Sequence, residues 1–181
     1  MAVIVRSAAS EDAALLHALA AQTFGLACPP GTSQDDVDDF IARHLSVERF
    51  AEYLADPARV LQVVEVDGVA AGYTMLIFSV PIDAEPNDPD VAAAVASRPT
   101  AELSKVYVLA GQHGRGVAAT LIAAAVEVAR ERGVASVWLG VNQGNGKANR
   151  FYEKNGFAVV GTRKFLVGGR EEDDFVRERL L

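Results

Sequence analysis

The segment from Leu103 to Arg132 constrains the fold more than any other part of the chain. It begins with a run of β-branched, aromatic and aliphatic residues, Leu103 to Leu109, that is typical of a buried strand. Gly114 and Gly116 follow, and two glycines so close together allow the backbone to turn sharply. The apolar run from Val117 to Arg132 then predicts a helix whose first amides have no intrahelical partner. We therefore expect a strand, a glycine loop and a helix N-terminus to meet at one point.

Such a meeting point binds anions, because the free amides and the helix dipole are directed at the same place. A diphosphate would suit it. The P-loop pattern is incomplete, since Val117 and Ala118 stand where a lysine and a hydroxyl residue would follow Gly116. The dinucleotide fingerprint is also incomplete, since Ala119 occupies its third glycine position. The glycines alone leave open a plain turn with no ligand.

A second pattern lies farther along the chain. The apolar strand predicted from Ala135 to Gly140 precedes a glycine-rich segment and then a short helix. In that helix Ala148, Phe151 and Tyr152 lie on one side. Asn155-Gly156 is expected to end the helix, because glycine accepts the left-handed conformation there.

The two patterns, in this order, resemble the GCN5-related N-acetyltransferase (GNAT) family. In that family the motif Arg/Gln-x-x-Gly-x-Gly/Ala binds the pyrophosphate of acetyl-CoA, and Asn-x-x-Ala-x-x-Phe-Tyr-x-x-x-Gly-Phe lies beside the thioester. The second motif is complete here from Asn145 to Phe157. The first departs at His113, where Arg or Gln is usual, but a neutral imidazole can still donate a hydrogen bond to a phosphate.

The resemblance implies an α/β fold with a mixed, mostly antiparallel central sheet of about seven strands. Helices would flank this sheet, and a splayed pair of parallel strands would hold the cofactor. The order of predicted elements agrees with it, including a hairpin around the turn dipeptide Asp67-Gly68. We expect residues 1–181 to form a single N-acetyltransferase domain.

The resemblance also implies acetyl-CoA as co-substrate, without a metal. Tyr152 would protonate the departing thiolate. The alternative role of Tyr152 is that of an aromatic residue packed in the core. Glu102 would draw the amine proton through water. An equally good interpretation of Glu102 is an exposed charge at the end of a strand. Strand alternation places Glu102 on the same face as Ser104 and Val106. The residues expected at the cofactor are Val106, Tyr107 and Val108 at the pantetheine, His113, Gly114, Arg115, Gly116, Val117, Ala118 and Ala119 at the pyrophosphate, and Asn145, Lys147, Arg150 and Tyr152.

Charge is unevenly placed in this chain of net charge −7. Seven acidic residues against two basic ones lie between residues 31 and 56, among them Asp35, Asp36, Asp38 and Asp39. Residues 144 to 170 carry six basic residues against Glu153 alone. This asymmetry suits an anionic cofactor at one edge and a cationic substrate at the other, and it counts against nucleic acid as the partner.

We therefore expect an N-acetyltransferase acting on a small cationic amine such as a polyamine, by direct transfer in a ternary complex. One alternative is a protein N-terminal or lysine acetyltransferase. The other is a non-catalytic acyl-CoA-binding regulatory domain. The lone Cys28 and the absence of an apolar stretch of about 20 residues predict a cytoplasmic protein that does not span a membrane. The sequence leaves open whether the protein forms a homodimer.

Overall fold

Seven strands form one mixed sheet in the order β1-β2-β3-β4-β5-β7-β6. This computed structural model describes residues 1–181, apart from the side chain of Val167. The strands are Val3–Ser7 (β1), Arg59–Val66 (β2), Val69–Phe78 (β3), Thr100–Val108 (β4), Ser136–Asn142 (β5), Ala158–Val167 (β6) and Arg170–Leu180 (β7). The expected mixed, mostly antiparallel sheet is confirmed.

Helices cover both faces of the sheet. They are Ala13–Ala27 (α1), Gln34–His44 (α2), Val47–Ala55 (α3), Pro89–Ala94 (α4), Val117–Glu131 (α5) and Gly146–Lys154 (α6). The apolar sides of α1, α2 and α3 pack on one face, where Phe24 and Phe50 join Tyr73 of β3 in a buried core. On the opposite face Ile122 of α5 packs with Leu103 of β4 in a second core. None of the described helices is long and apolar enough to cross a membrane.

Strands β4 and β5 are parallel neighbours along only a short part of their length. Their paired residues are Thr100 with Ser136, Ala101 with Val137, and Glu102 with Trp138. Beyond Glu102, β4 continues to Val108 while β5 continues to Asn142 without further pairing between them. The two strands therefore splay apart, as predicted, and the edge of β4 that faces β5 is left free to pair with an extended ligand.

A β-bulge interrupts β4 at Ser104. Met75 of β3 pairs with Lys105, whereas the next residue of β3, Leu76, pairs with Leu103, so Ser104 is the extra residue. Directly paired residues of antiparallel strands point to the same side of the sheet. Because Met75 faces α1 and α3, Lys105 faces the same helices.

The bulge corrects the expectation from strand alternation. Glu102 pairs with Ile77, whose side chain packs on the α1 and α3 side. Val106 packs instead on the opposite core, against α5. The prediction that Glu102 and Val106 share a face is wrong, because one inserted residue reverses the alternation of everything that follows it.

Candidate active site

Two cavities adjoin the gap between β4 and β5. The first, here the loop cavity, has a volume of about 590 Å³ and lies between α6 and the segment from Gln112 to Ala119. The second, here the strand cavity, has a volume of about 420 Å³ and is walled by β4, β5, β6 and β7 together with residues of α1, α2 and α3. Residues that line both cavities mark the place where they meet, namely Ala27, Val106, Tyr107, Asn145, Ala148 and Tyr152.

The glycine loop forms an open cradle at the start of α5. Gly114 and Gly116 have φ values of +76° and +80°, a conformation that disfavours any residue with a Cβ. Gly116 is the N-cap of α5, and no side chain caps the helix. The amides of Val117, Ala118 and Ala119 therefore have neither an intrahelical acceptor nor a side-chain cap, which fits a diphosphate.

Among the predicted pyrophosphate contacts, Arg115 lies elsewhere. Its side chain is not on the wall of the loop cavity, and its guanidinium donates a hydrogen bond of 2.9 Å to Oε1 of Gln112. The described walls do include Gly114, Gly116 and Val117. Arg115 is therefore not among the residues that form the wall of the cradle.

His113 lines the loop cavity, but both of its ring nitrogens already have partners. Nε2 lies 2.9 Å from the carbonyl oxygen of Val108, which can only accept, so Nε2 is the donor. Nδ1 lies 3.2 Å from Nζ of Lys147, and a lysine ammonium can only donate. Through these two contacts the imidazole connects the end of β4 to α6.

Lys147 and Arg150 of α6 were both predicted to contact the cofactor, but only Lys147 lies at a cavity in the structure. Lys147 near the start of α6 and Lys154 at its end both line the loop cavity. Arg150 is exposed and does not line either cavity. Asn145 lines both cavities and also caps α6, because its Oδ1 accepts a hydrogen bond of 3.1 Å from the amide of Ala148.

Tyr152 stands at the junction of the two cavities. Its ring lies 5.4 Å from that of Phe151 and 6.1 Å from that of Phe157, measured between centroids. Burial raises the pKa of its hydroxyl to about 12, since the charged phenolate would be poorly solvated there. At neutral pH the group is a phenol with a proton to donate.

Glu102 and Lys105 both line the strand cavity. Burial raises the pKa of the Glu102 carboxyl, and Arg163, Lys105 and Arg59 oppose part of that shift through their positive charges. Burial lowers the pKa of the Lys105 ammonium to about 8. Each group is therefore shifted towards its neutral form, which is the usual condition of proton-transfer groups at active sites.

The hairpin of β6 and β7 contributes residues that the sequence did not indicate. Arg163 and Asp174 line the strand cavity, with Nε of Arg163 3.5 Å from Oδ2 of Asp174. The guanidinium lies against Gly140 of β5, where an added Cβ would be only 2.3 Å from its Nη2 atom. No local motif marks these residues, because β7 reaches β5 only through the tertiary arrangement of the sheet.

The remainder of the strand cavity is largely aromatic. Phe24 of α1 and Phe40 of α2 are stacked with their ring centroids 4.3 Å apart. Tyr107 meets Phe24 edge to face at 6.4 Å, and Tyr53 and Phe165 also reach the wall.

The acidic cluster of α2 lies outside the strand cavity. Asp35, Asp38 and Asp39 are exposed, and these three and Asp36 are absent from the described cavity walls. The carboxyls that do line the cavity are Glu102, Glu172 and Asp174. The acidic residues of α2 therefore lie off the cavity walls, although Phe40 and His44 of the same helix line the strand cavity. Across the described residues, no cluster of His, Cys, Asp and Glu has the geometry of a metal site.

Comparison with known proteins identifies relatives of this chain. The model of the acetyltransferase (GNAT) family matches residues 26–157. A protein of Mycobacterium tuberculosis described as an uncharacterized N-acetyltransferase is 44% identical over 170 residues, which cover 94% of this chain and 98% of the relative.

Two solved structures extend the comparison. PaiA N-acetyltransferase from Thermoplasma acidophilum, in complex with coenzyme A, has a TM-score of 0.77 and 19% identity, over the whole of both chains. Ribosomal-protein-alanine N-acetyltransferase from Brucella melitensis has a TM-score of 0.68 and 25% identity, over 98% of this chain and 99% of that one. With the second motif complete, the first departing only at His113, and the splayed strands in place, the chain belongs to the GNAT family of N-acetyltransferases.

Proposed function

We propose that the chain acts as one domain that transfers the acetyl group of acetyl-CoA to the primary amine of a small molecule. The observation that carries this proposal is the position of Tyr152 where the loop cavity opens into the strand cavity. Acetyl-CoA enters from the loop cavity and the amine from the strand cavity, so the thioester and the amine meet beside the phenol.

The loop cavity accounts for the cofactor. The amides at the start of α5 hold the diphosphate, and Lys147 and Lys154 supply positive charge to the phosphates. The pantetheine arm pairs with the free edge of β4 at Val106 and Tyr107. The carbonyl of Val108 already accepts from His113, so Val108 contributes less to this pairing than the sequence predicts.

The transfer proceeds in one complex, with each proton assigned to a group. The ammonium of the acceptor gives a proton to Glu102, directly or through water, and becomes a nucleophilic amine. Its nitrogen forms a bond to the thioester carbon, and the carbon–sulfur bond breaks. Tyr152 gives its proton to the departing sulfur, and the excess proton on the amide nitrogen passes to solvent. Positioning of the two substrates supplies much of the remaining rate enhancement.

The acceptor is an amine that arrives as an ammonium ion, because three carboxyls line the strand cavity. A polyamine stays a prediction, supported by the uneven charge of the chain, although Asp35, Asp36, Asp38 and Asp39 are not on the cavity walls. The rival acceptor is a protein N-terminus, as the name of the Brucella melitensis protein indicates for that protein. A regulatory domain without turnover would have no need for a phenol between two cavities.

A thiol-release assay tests the proposal. The protein is incubated with acetyl-CoA and panels of amino acids, small amines, polyamines and peptides, and the acetylated product is identified by mass spectrometry. We expect release of CoA with at least one class of small amine. CoA binding with no turnover on any panel would favour the regulatory alternative, and turnover on peptides alone would favour the protein acetyltransferase.

A further inference from the structure

Two charged side chains face the strand cavity without a partner of opposite charge. Among the described residues, Glu102 and Lys105 make no ion pair or side-chain hydrogen bond, with each other or with a neighbour. The Lys105 ammonium lies over the ring of Tyr53, with Nζ 5.9 Å from its centroid. Both side chains are on the same face of β4, because of the bulge at Ser104.

The other charges at this cavity have counterparts. Arg163 lies 3.5 Å from Asp174, and Glu172 lies 3.7 Å from Arg170. This pairing leaves one acid and one base, Glu102 and Lys105, available to a ligand.

We propose that the acceptor is an amino acid, whose ammonium group lies at Glu102 and whose carboxylate is bound by Lys105. The inference rests on the proposed function and names its substrate class. The apolar side chain of the amino acid would pack against the stacked rings of Phe24 and Phe40. A polyamine fits less well, since its second ammonium group would meet Lys105.

The burial of Glu102 and Lys105 explains why the site would select a ligand that carries both an ammonium and a carboxylate group. An unpaired charge in a poorly solvated site is costly, and a ligand group of opposite charge offsets that cost. The shifts of the Glu102 and Lys105 pKa values agree with this description, since each group is driven towards neutrality while the cavity holds no ligand.

The surroundings of Lys105 hold other charged and titratable groups. Glu102 on the same strand raises its pKa, and Arg59 of β2 lowers it. Tyr53 of α3 and His44 of α2 also line the cavity, and Lys105 in turn lowers the pKa of His44. Of these groups, only Glu102 is a carboxyl, and Arg59 is already paired with Asp56, so the anion of the ligand is directed to Lys105.

Three matched acceptors test the inference: L-phenylalanine, L-phenylalaninamide and 2-phenylethylamine. They share the side chain and the amine, but only the first carries a carboxylate. We expect the largest specificity constant for L-phenylalanine. Lys105→Met should lower the ratio of the specificity constants for the acid and the amide by about 10- to 100-fold, chiefly through KM, as expected for loss of a charge-assisted hydrogen bond.

Two further variants separate a binding role from a structural one. Lys105→Arg keeps the positive charge and should restore most of the preference for the acid. Lys164→Met removes an exposed lysine of β6 that pairs with Asp173, and it should leave the ratio unchanged. Calorimetry with CoA shows that each variant is folded.

The inference is overturned if the amide or 2-phenylethylamine is acetylated as well as the acid, or if Lys105→Met affects all three equally. Efficient turnover of spermidine with no turnover of amino acids would also overturn it, while the proposed function would stand. Absence of turnover with every amine would instead contradict the proposed function itself.

Discussion

Glu102 and Lys105 lie three positions apart on β4 and yet on the same face of the sheet, because Ser104 is a bulge between them. In a regular strand, residues three apart point to opposite faces. The bulge thus brings a carboxyl and an ammonium group to one cavity wall and gives that wall a group of each charge. The proposed chemistry of the site depends on both groups.

The pH dependence of acceptor binding follows from Lys105. Its pKa is lowered to about 8, so the group is cationic below that pH and loses its charge above it. The KM for L-phenylalanine should therefore rise as pH increases through 8, whereas that for L-phenylalaninamide should not follow the same curve. Steady-state kinetics over the range from about pH 6 to about pH 9 checks this. A parallel rise for both acceptors would contradict it.

Glu102→Gln removes the proposed base. Turnover should fall by about 10²- to 10⁴-fold, the usual contribution of a positioned acid or base, while CoA affinity is retained. Since burial raises the pKa of Glu102, the rate of the wild-type protein should increase with pH through a value above that of an ordinary glutamate. A pH profile that is the same in the variant would show that another group accepts the proton.

Tyr152→Phe removes a single hydroxyl at the junction of the cavities. We expect turnover to fall by about 10²-fold or more with little change in CoA affinity, because the phenol acts on the departing sulfur. With its pKa raised to about 12, Tyr152 stays protonated across the neutral range, so it should add no titration there. Turnover within a few-fold of the wild-type value would make Tyr152 a structural aromatic.

Ala119→Asp tests the anion site at the start of α5. Ala119 lies in the first turn of the helix and lines the loop cavity. A carboxylate in a first turn stabilises the helix, so the protein should remain folded while CoA is repelled. We expect calorimetry to show a loss of affinity of about 10-fold or more, with a much smaller loss for the uncharged Ala119→Asn. Equal losses would place the diphosphate elsewhere.

Gly72→Ala should destabilise the sheet beneath the site. A Cβ at Gly72 would lie 2.5 Å from the carbonyl oxygen of Tyr107, a backbone atom of β4 that cannot move alone. Overpacking of this kind costs about 1–3 kcal/mol. Gly111→Ala is the control, since a Cβ there has nothing within 4 Å. Thermal or urea unfolding measures both, and equal stabilities would mean that β4 adjusts freely.

Much of the candidate cofactor site was predictable because its signals are local. The left-handed conformation of Gly114 and Gly116 and the capping of α6 by Asn145 each depend on neighbours within a few residues. The motif from Asn145 to Phe157 likewise forms one helix and its end, so the position of Tyr152 on that helix follows from spacing.

The proposed acceptor site was less predictable, because distant segments build it. The bulge at Ser104 follows from the pairing of β4 with β3, and no local residue pattern marks it. Arg163 and Asp174 reach the cavity only because β7 lies between β5 and β6. The partners of His113, a strand carbonyl and Lys147 of α6, are equally a product of packing.

The sequence by itself determined the family, the strand, loop and helix that meet at the proposed diphosphate site, and the helix that carries Tyr152. These features rest on backbone preferences of glycine and on helix capping, which act over a few residues. Only the tertiary structure decided that Glu102 and Lys105 share a wall and that the aspartates of α2 lie outside it. The reason is that strand register and sheet order are set by the cooperative packing of segments far apart in the chain.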